Sequence, residues 1–172
     1  IIGSTIDKIN DHVEINLGND DLKLNDILID SRSAEDMWGD TDTISGIENA
    51  YGTSGDDAIF GSENNNQIYA GSGDDFIYGG SGSDVLDGGD GEDVFVFLQS
   101  DLEAGNNDTD IIENFNVNDD KISFDTLGMS DVDIELVDNE GGADAILSFN
   151  DHADWGSIIL VDVGRLDSED II

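Results

Sequence analysis

The stretch "GGSGSDVLDGGDGEDVFV", from Gly79 to Val96, consists of two nine-residue units with the same plan. Each unit has glycine at places one, two and four, Asp at place six and an apolar residue at place eight. Read outward, the plan gives five units in unbroken register over 52–96. Place six holds Asp57, Asn66, Asp75, Asp84 and Asp93, and place eight holds Ile59, Ile68, Ile77, Leu86 and Phe95.

This nine-residue plan predicts an all-β fold, a parallel β-roll. Six residues form a tight loop whose glycines allow positive φ, and three form a short strand whose middle side chain points inward. Successive units alternate sides, so units two apart stack at about 4.8 Å. Their place-six carboxylates would repel one another, and Ca²⁺ between them, completed by turn carbonyls, would reverse that repulsion. One such motif alone would indicate only a flexible turn-rich segment, but five units in register favour the roll.

The composition narrows the range of partners. The 172 residues carry a net charge of −37 with only five Lys and Arg, which argues against nucleic acid and anionic membranes. Cys is absent, so disulfides and thiolate metal sites are excluded, and no apolar run approaches the ~20 residues of a membrane span. The GxG fragments lack the following Lys and the strand–helix context of nucleotide loops. The first residues, "IIGST", lack Met, so we expect a piece of a longer protein.

The units resemble the RTX repeats of proteins exported by bacterial type I secretion. Flanking stretches extend the resemblance over 42–172. The stretch "DTISGIENAYGTSGDD" (42–57) looks like the lead-in to such rolls, and "DVFVF…DTDIIENFNVNDDKISFD" (93–125) looks like the strand and loop that follow them. The stretch "ADAILSFNDHADWGSIILVDVG" (143–164) with "SEDII" (168–172) looks like the terminal region of serralysin-type proteases and large RTX adhesins. The resemblance implies a lead-in or cap over 1–50, the roll over 51–97, and a β-rich cap with the secretion signal over 98–172. Residues 1–41 match no family that we can name.

The resemblance also implies calcium ligands. One loop would give backbone oxygens at places two and four and its place-six side chain, and the loop two units later would give oxygens at places one and three and its own place six. The implied set is Thr53, Gly55, Asp57, Ser62, Asn64, Asn66, Ala70, Gly71, Ser72, Gly73, Asp75, Gly79, Gly80, Ser81, Gly82, Asp84, Gly88, Gly89, Asp90, Gly91 and Asp93. Glu48, nine residues before Asp57, would act as an early place six opposite Asn66. Asp110 and Asp120 resemble residues that close the last sites beside Asp93 and Asp84, and turn or cap chemistry is the alternative for both. Sites that use Asn66 carry less negative charge and are expected to be weaker.

Segments outside the roll give further expectations. One outer face would collect apolar residues at places seven and nine (Ala58, Phe60, Phe76, Tyr78, Val94 and Val96), which another segment should cover. Strands are predicted at 12–17, 22–29, 111–117, 121–125, 132–137, 144–149 and 157–163, and the C-terminal ones are expected to pack on that face. Residues 33–38 predict one helical turn after a Ser cap. Trp38 and Trp155 are expected to pack, and His12 and His152 to lie at the surface.

No nucleophile–base constellation stands out, so no enzyme activity is predicted. We expect an extracellular or cell-surface, monomeric module for calcium-dependent folding and export, with Ca²⁺ and the type I secretion apparatus as partners and no membrane insertion. A large adhesin is the first choice for the parent protein, and a secreted protease or lipase is the alternative. An ice-binding roll is set aside, since only Thr53 occupies a loop place where such rolls need regular Thr rows.

Overall fold

Six short strands precede the repeats in the computed structural model. The structure describes residues 14–16, 22–24, 27–29, 33–35, 41–43, 48–103, 108–125, 132–139, 142–149, 155–163, 165–166 and 170–172. The six strands are β1 (Glu14–Asn16), β2 (Leu22–Leu24), β3 (Ile27–Ile29), β4 (Ser33–Glu35), β5 (Thr41–Thr43) and β6 (Asn49–Tyr51). The strand predicted at 12–17 is confirmed over β1, and the segment 22–29 is a hairpin of β2 and β3 rather than one strand.

The helical turn predicted for 33–38 is wrong over Ser33–Glu35. Strand β4 lies between β1 and β5 and pairs antiparallel with both. Pairing on two edges gives the backbone polar groups partners that the open ends of a single helical turn would lack. Tertiary pairing therefore overrides the local Ser-cap signal. Trp38, His12 and His152 lie outside the described residues.

The nonapeptide units form five strands that alternate between two seven-stranded sheets. They are β7 (Ala58–Ser62), β8 (Gln67–Ser72), β9 (Phe76–Gly80), β10 (Val85–Asp90) and β11 (Val94–Leu98). In the first sheet β7, β9 and β11 pair in parallel with a register step of 18 residues, so Ile59 lies beside Ile77 and Ile77 beside Phe95. In the second sheet β6, β8 and β10 pair in the same way. The predicted parallel β-roll is confirmed.

The chain after the repeats extends both sheets at their edges. Its elements are α1 (Gln99–Leu102), β12 (Thr109–Glu113), β13 (Lys121–Asp125), β14 (Val132–Asn139), β15 (Gly142–Phe149) and β16 (Ser157–Leu160). Strand β13 pairs in parallel with β11, and β12 pairs in parallel with β10. Beyond β12 the second sheet continues through β16, β15 and β14. The expectation that these strands pack on the outer face of the roll is therefore wrong, because they are bonded edge to edge with it.

Two of the predicted C-terminal strands end early. The strand predicted at 111–117 ends at Glu113, and the one predicted at 157–163 ends at Leu160. Asn114 and Asp162 then take φ values of 58° and 59°. This left-handed conformation turns the backbone away from the extended path, so neither strand can continue.

The interior of the roll is formed by the place-eight side chains. All five are fully buried, at 0% exposure. The same layer continues downstream with Ile112 beside Leu86 and Ile122 beside Phe95, both also at 0%. Trp155 packs against this core beside Phe149, at a ring-centroid distance of 5.6 Å, as expected of a packing residue.

The apolar outer face of the first sheet is buried, as its composition requires. Ala58, Phe60, Tyr78 and Val96 form a second buried cluster, against which Phe76, Val94 and Leu98 pack. The Tyr78 hydroxyl donates to Asp101 Oδ2 at 2.5 Å, so helix α1 closes one margin of this face. On the other sheet the rings of Tyr51 and Tyr69 stack at 5.2 Å, and Tyr51 is 64% exposed.

Candidate calcium sites

A ladder of carboxylates runs along the loops beside the first sheet. The backbone N–H of Asp57 donates to Asp75 Oδ1 at 2.7 Å, and that of Asp75 donates to Asp93 Oδ1 at 3.0 Å. The N–H of Asp93 donates in turn to Asp120 Oδ1 at 3.1 Å. Asp120 therefore occupies the place-six position of a further turn, although it lies outside any nonapeptide unit.

A second ladder runs beside the second sheet. The N–H of Asn66 donates to Asp84 Oδ1 at 2.8 Å, and that of Asp84 donates to Asp110 Oδ1 at 2.9 Å. The ladders thus pair Asp84 with Asp110 and Asp93 with Asp120. Glu48 lies in register with Asn66, because Asn49 pairs with Gln67, and its carbonyl accepts from Asn66 Nδ2 at 3.4 Å. The residue is exposed, so the structure brings Glu48 into register but not into the buried ladder.

Burial raises the pKa of the carboxyl groups along both ladders. The five Asp residues that accept along the ladders are at most 5% exposed. Burial, opposed by the backbone hydrogen bond and reinforced by neighbouring carboxylates, raises the pKa of Asp75 and of Asp84 to about 7 and that of Asp93 to about 6. Burial likewise raises the pKa of Asp110 to about 8 and that of Asp120 above its usual range. A bound cation would stabilise the ionised form of these carboxyl groups, because a nearby opposite charge favours ionisation.

The second oxygen of three ladder carboxylates is buried without a hydrogen-bond partner among the described residues. These oxygens are Oδ2 of Asp75, Asp84 and Asp93. A buried acceptor without a partner destabilises a fold by about 1–3 kcal/mol, and more if it is charged. A cation bound at Oδ2 would remove that cost while Oδ1 keeps the ladder hydrogen bond. The residues present therefore fit a cation site.

Glycine makes room for these oxygens. A Cβ placed on Gly79 would lie 2.2 Å from Asp84 Oδ2, and one on Gly88 would lie 2.1 Å from Asp93 Oδ2. No side chain fits at either distance, so glycine at place one lets the unpartnered oxygen approach the loop backbone.

The loop carbonyls face the gap between stacked loops. A Cβ on Gly71 would lie 2.2 Å from the Thr53 oxygen, and one on Gly91, where φ is 147°, would lie 1.8 Å from the Gly73 oxygen. Oxygens at places two and four therefore point toward the loop two units later. Four further carbonyl oxygens lie 2.0 to 3.2 Å from a Cβ placed on the glycine two units later. The pairs, oxygen first, are Gly55 and Gly73, Ser62 and Gly80, Asn64 and Gly82, and Gly71 and Gly89.

Oxygens at places one and three point back. The Ala70 oxygen would lie 2.2 Å from a Cβ on Gly52, and the Gly79 oxygen 1.9 Å from one on Gly61. The Asp90 carbonyl accepts the N–H of Gly73 at 2.9 Å. Ser72, Ser81 and Gly88 belong to the same stacked loops. Facing carbonyls and a carboxylate from each of two loops are oxygen ligands of the type that Ca²⁺ takes.

Within the described residues, no three His, Asp or Glu side chains converge to form a metal cluster. No described helix is long and apolar enough to cross a bilayer.

Sequence reasoning missed two acidic residues and one loop. Asp101 and Asp108 line a small cavity with Gly80, Gly82 and Asp110, and both carboxylates help to raise the pKa of Asp84. They lie in the segment between repeats and β12, where no nine-residue spacing marks them. In the loop before β13, the Asn116 N–H donates to Asp120 Oδ2 at 2.8 Å, as the Ser62 N–H donates to Asn66 Oδ1 at 2.7 Å. The four-residue spacing between the two partners is the signal that could have found it.

Comparisons with known proteins agree with this geometry. Residues 42–77, 51–86 and 60–95 match the family of the RTX calcium-binding nonapeptide repeat (four copies). The solution structure of the AlgE6R2 subunit of the Azotobacter vinelandii mannuronan C5-epimerase is similar, with 24% identity, a TM-score of 0.54, and coverage of 73% of this chain and 87% of that one. The AlgE6R3 subunit of the same enzyme shares 24% identity over 68% of this chain and 77% of its own, with a TM-score of 0.34. No curated protein matches. The chain thus contains RTX calcium-binding repeats folded as a β-roll, and at 24% identity the AlgE6R2 structure shows likeness of fold alone.

Proposed function

We propose that this RTX β-roll is a calcium-dependent folding module, and that it serves the export of a larger secreted or cell-surface protein by type I secretion. The single observation that carries the proposal is the set of buried Oδ2 atoms of Asp75, Asp84 and Asp93, for which the described part of the chain supplies no hydrogen-bond partner. Each lies in a loop whose carbonyls face the next loop on the same side.

The ions would be held between loops two units apart. On the first side one site uses Asp57 and Asp75, the next uses Asp75 and Asp93, and a last one uses Asp93 and Asp120. On the second side Asn66 and Asp84 form one site, and Asp84 and Asp110 the next. The bound ion supplies positive charge at the carboxylate oxygens, and the chain's own loops supply the remaining oxygen ligands.

Calcium concentration would then decide whether the chain folds. Extracellular modules bind Ca²⁺ at about 10⁻⁴–10⁻³ M, well above cytosolic levels. Without the ion, a net charge of −37 and the stacked buried acids oppose compaction. An ion that binds only the folded state stabilises it by mass action, so folding would follow export.

The repeats and the C-terminal stretch indicate the destination and the parent protein. RTX repeats are typical of secreted proteins, and the stretch "SEDII" (168–172) resembles part of the signal region of such proteins. We favour a large adhesin as the parent and a non-catalytic role for this module. The alternative is the C-terminal part of a secreted enzyme, and the sequence upstream of Ile1 separates the two.

Circular dichroism and thermal unfolding test the folding role. We expect little β-structure in chelator and a cooperative β-rich state in millimolar Ca²⁺. Mg²⁺ serves as the control, because it demands octahedral geometry at shorter distances and should not replace Ca²⁺. Identical spectra and melting temperatures in chelator and in calcium would rule the proposal out. Export of the full chain by a type I apparatus, with and without residues 165–172, tests the secretion role separately.

A further inference from the structure

We propose that the place-five side chains of the repeats are positioning residues, which hold stacked loops at the separation that Ca²⁺ requires and so discriminate against the smaller Mg²⁺. The nonapeptide plan leaves place five free, and its occupants here are Asp56, Asn65, Asp74, Ser83 and Glu92. The proposal rests on the proposed function, since the loops that it concerns are those of the calcium sites.

Four of these five side chains accept a backbone N–H from the next turn on the same side of the roll. The donor is each time the residue just before the next place-six position, and Thr109, just before Asp110, continues the row outside the repeats. The pairs, acceptor first, are Asp56 and Asp74 at 2.9 Å, Asn65 and Ser83 at 3.1 Å, Asp74 and Glu92 at 3.0 Å, and Ser83 and Thr109 at 2.9 Å.

The property that these four side chains share is an acceptor oxygen and not a charge. Two are carboxylates, one is the amide of Asn65, and one is the hydroxyl of Ser83. Asp56, Asn65 and Asp74 are exposed, so burial does not force their hydrogen bonds, which water could replace. All four side chains are short, which lets the oxygen reach the neighbouring backbone only if the two turns stay stacked.

Each place-five contact lies directly beside the oxygens assigned to calcium. Place five stands between place four, whose carbonyl faces the next loop, and place six, which supplies the side-chain ligand. A Cβ on Gly91 would lie 3.3 Å from Asp74 Oδ1 and 1.8 Å from the Gly73 oxygen, so both oxygens face the same glycine of the next turn. The place-five contact and the place-six rung beside it therefore fix the separation of the two loops where the ion would bind.

A fixed separation favours the larger ion. Ca²⁺ takes its oxygens at about 2.3–2.6 Å in flexible geometry, whereas Mg²⁺ requires about 2.0–2.1 Å and a near-ideal octahedron. Replacement of Ca²⁺ by Mg²⁺ between two loops would therefore draw the loops together by roughly 0.4–1.2 Å. The place-five hydrogen bonds are 2.9 to 3.1 Å long, and N–H···O bonds rarely shorten below about 2.7 Å. The contraction would compress them to or below that limit, whereas Ca²⁺ leaves them as they are.

Substitutions at Asp74 separate the acceptor from the charge. Asp74→Ala removes the acceptor of the Glu92 N–H, and Asp74→Asn keeps an acceptor while it removes the charge. Glu92→Ala is the matched control, because it removes an exposed place-five side chain that accepts no N–H from the described residues. At a calcium concentration that folds the variants by circular dichroism, equilibrium dialysis measures bound Ca²⁺ and its displacement by Mg²⁺, which gives both affinities.

The ratio of calcium affinity to magnesium affinity is the deciding quantity. Asp74→Ala should lower the calcium affinity of its sites by about 2- to 12-fold, the range for one lost hydrogen bond, and should not lower the magnesium affinity. The ratio should therefore fall by at least about twofold in Asp74→Ala and stay unchanged in Asp74→Asn and Glu92→Ala. A purely structural role would lower both affinities by the same factor. An unchanged ratio in Asp74→Ala, or an equal fall in Asp74→Asn, would overturn the proposal.

A second position decides the question if Asp74→Ala does not fold. Asn65 carries no charge, so Asn65→Ala removes only the acceptor of the Ser83 N–H, and Asn65→Asp supplies one again. The ratio should fall in Asn65→Ala and stay unchanged in Asn65→Asp. A calcium-folded Asn65→Ala with an unchanged ratio would overturn the proposal and leave the proposed function standing. Absence of calcium-dependent folding in the unsubstituted chain would instead contradict the proposed function itself.

Discussion

Substitution of Asp75 should weaken the module about twice as much as substitution of Asp57. Asp75 lies between two stacked turns of the first ladder, since it accepts from Asp57 and donates to Asp93. Asp57 stands in the first nonapeptide unit, and the strand next to β7 on its other side is β1, which pairs Glu14 with Ala58 and belongs to no repeat. Asp75 would therefore serve two ions and Asp57 one.

The magnitude follows from mass action. At about 10 mM Ca²⁺, a site with a dissociation constant of about 10⁻⁴–10⁻³ M stabilises the fold by about 1.4–2.7 kcal/mol. Asp57→Asn should lower the free energy of unfolding by up to about that amount, and Asp75→Asn by up to about 3–5 kcal/mol. Asn is the proper replacement, because its side-chain oxygen can still accept the N–H that each Asp accepts, from Thr53 at position 57 and from Asp57 at position 75, and only the charge is lost.

Urea unfolding of both variants, followed by circular dichroism with calcium and with chelator, measures the difference. In calcium, the loss for Asp75→Asn should be about double the loss for Asp57→Asn. An equal or reversed order in calcium would refute the assignment of Asp75 to two sites. A gap of the same size in chelator would show that the effect belongs to packing and not to ions.

Two further predictions concern the cap and the loops. A chain that ends at Leu98 should stay largely unfolded at a calcium concentration that folds the full chain, because it lacks Asp110 and Asp120 and the strands that pair with β10 and β11; an unchanged calcium midpoint by circular dichroism would contradict this. Gly91→Ala should lower the unfolding free energy by at least about 1–2 kcal/mol, which is the cost of a positive φ for a residue with a Cβ. The loss should be larger still, because the new Cβ would lie 1.8 Å from the Gly73 oxygen. Glu92→Ala, at an exposed neighbour, is the control, and equal melting temperatures for the two variants would show that the loops can move apart to admit the methyl group.

The roll could be predicted from the sequence because its repeat fixes sheet, side and register at once. A side chain at place eight, such as Leu86, always returns to the interior after nine residues, and the place-six residues always meet 18 residues apart. Asp110 and Asp120 could be placed only by resemblance, since they lie 26 and 27 residues after the turns that they complete. The intervening segments break the period, so no spacing rule reveals the contact.

Two predictions were wrong, the packing of the C-terminal strands on the outer face and the helical turn at 33–38, and they have a related cause. Strands β12 to β16 carry alternating apolar residues that fit either a sheet laid over the roll or a sheet continuing it. The alternation shows which face of each strand is buried, but it does not show which strand pairs with it. In the structure β12 pairs in parallel with β10, and β13 pairs in parallel with β11. Ser33 is likewise a favourable N-cap residue for a helix. The backbone is nevertheless extended there, because β4 pairs with β1 on one side and with β5 on the other.

The carboxylate ladders also have a polarity. In every rung the acceptor carboxylate comes from the later turn and the N–H from the earlier one, as in the pair of Asp75 and Asp57. The last acceptors, Asp110 and Asp120, come from outside the repeats. One place earlier in the units, the side chains of Asp56, Asn65 and Asp74 accept the N–H of the turn that follows. Neighbouring turns are therefore tied in both directions, and each ladder ends on a carboxylate that the repeat does not encode.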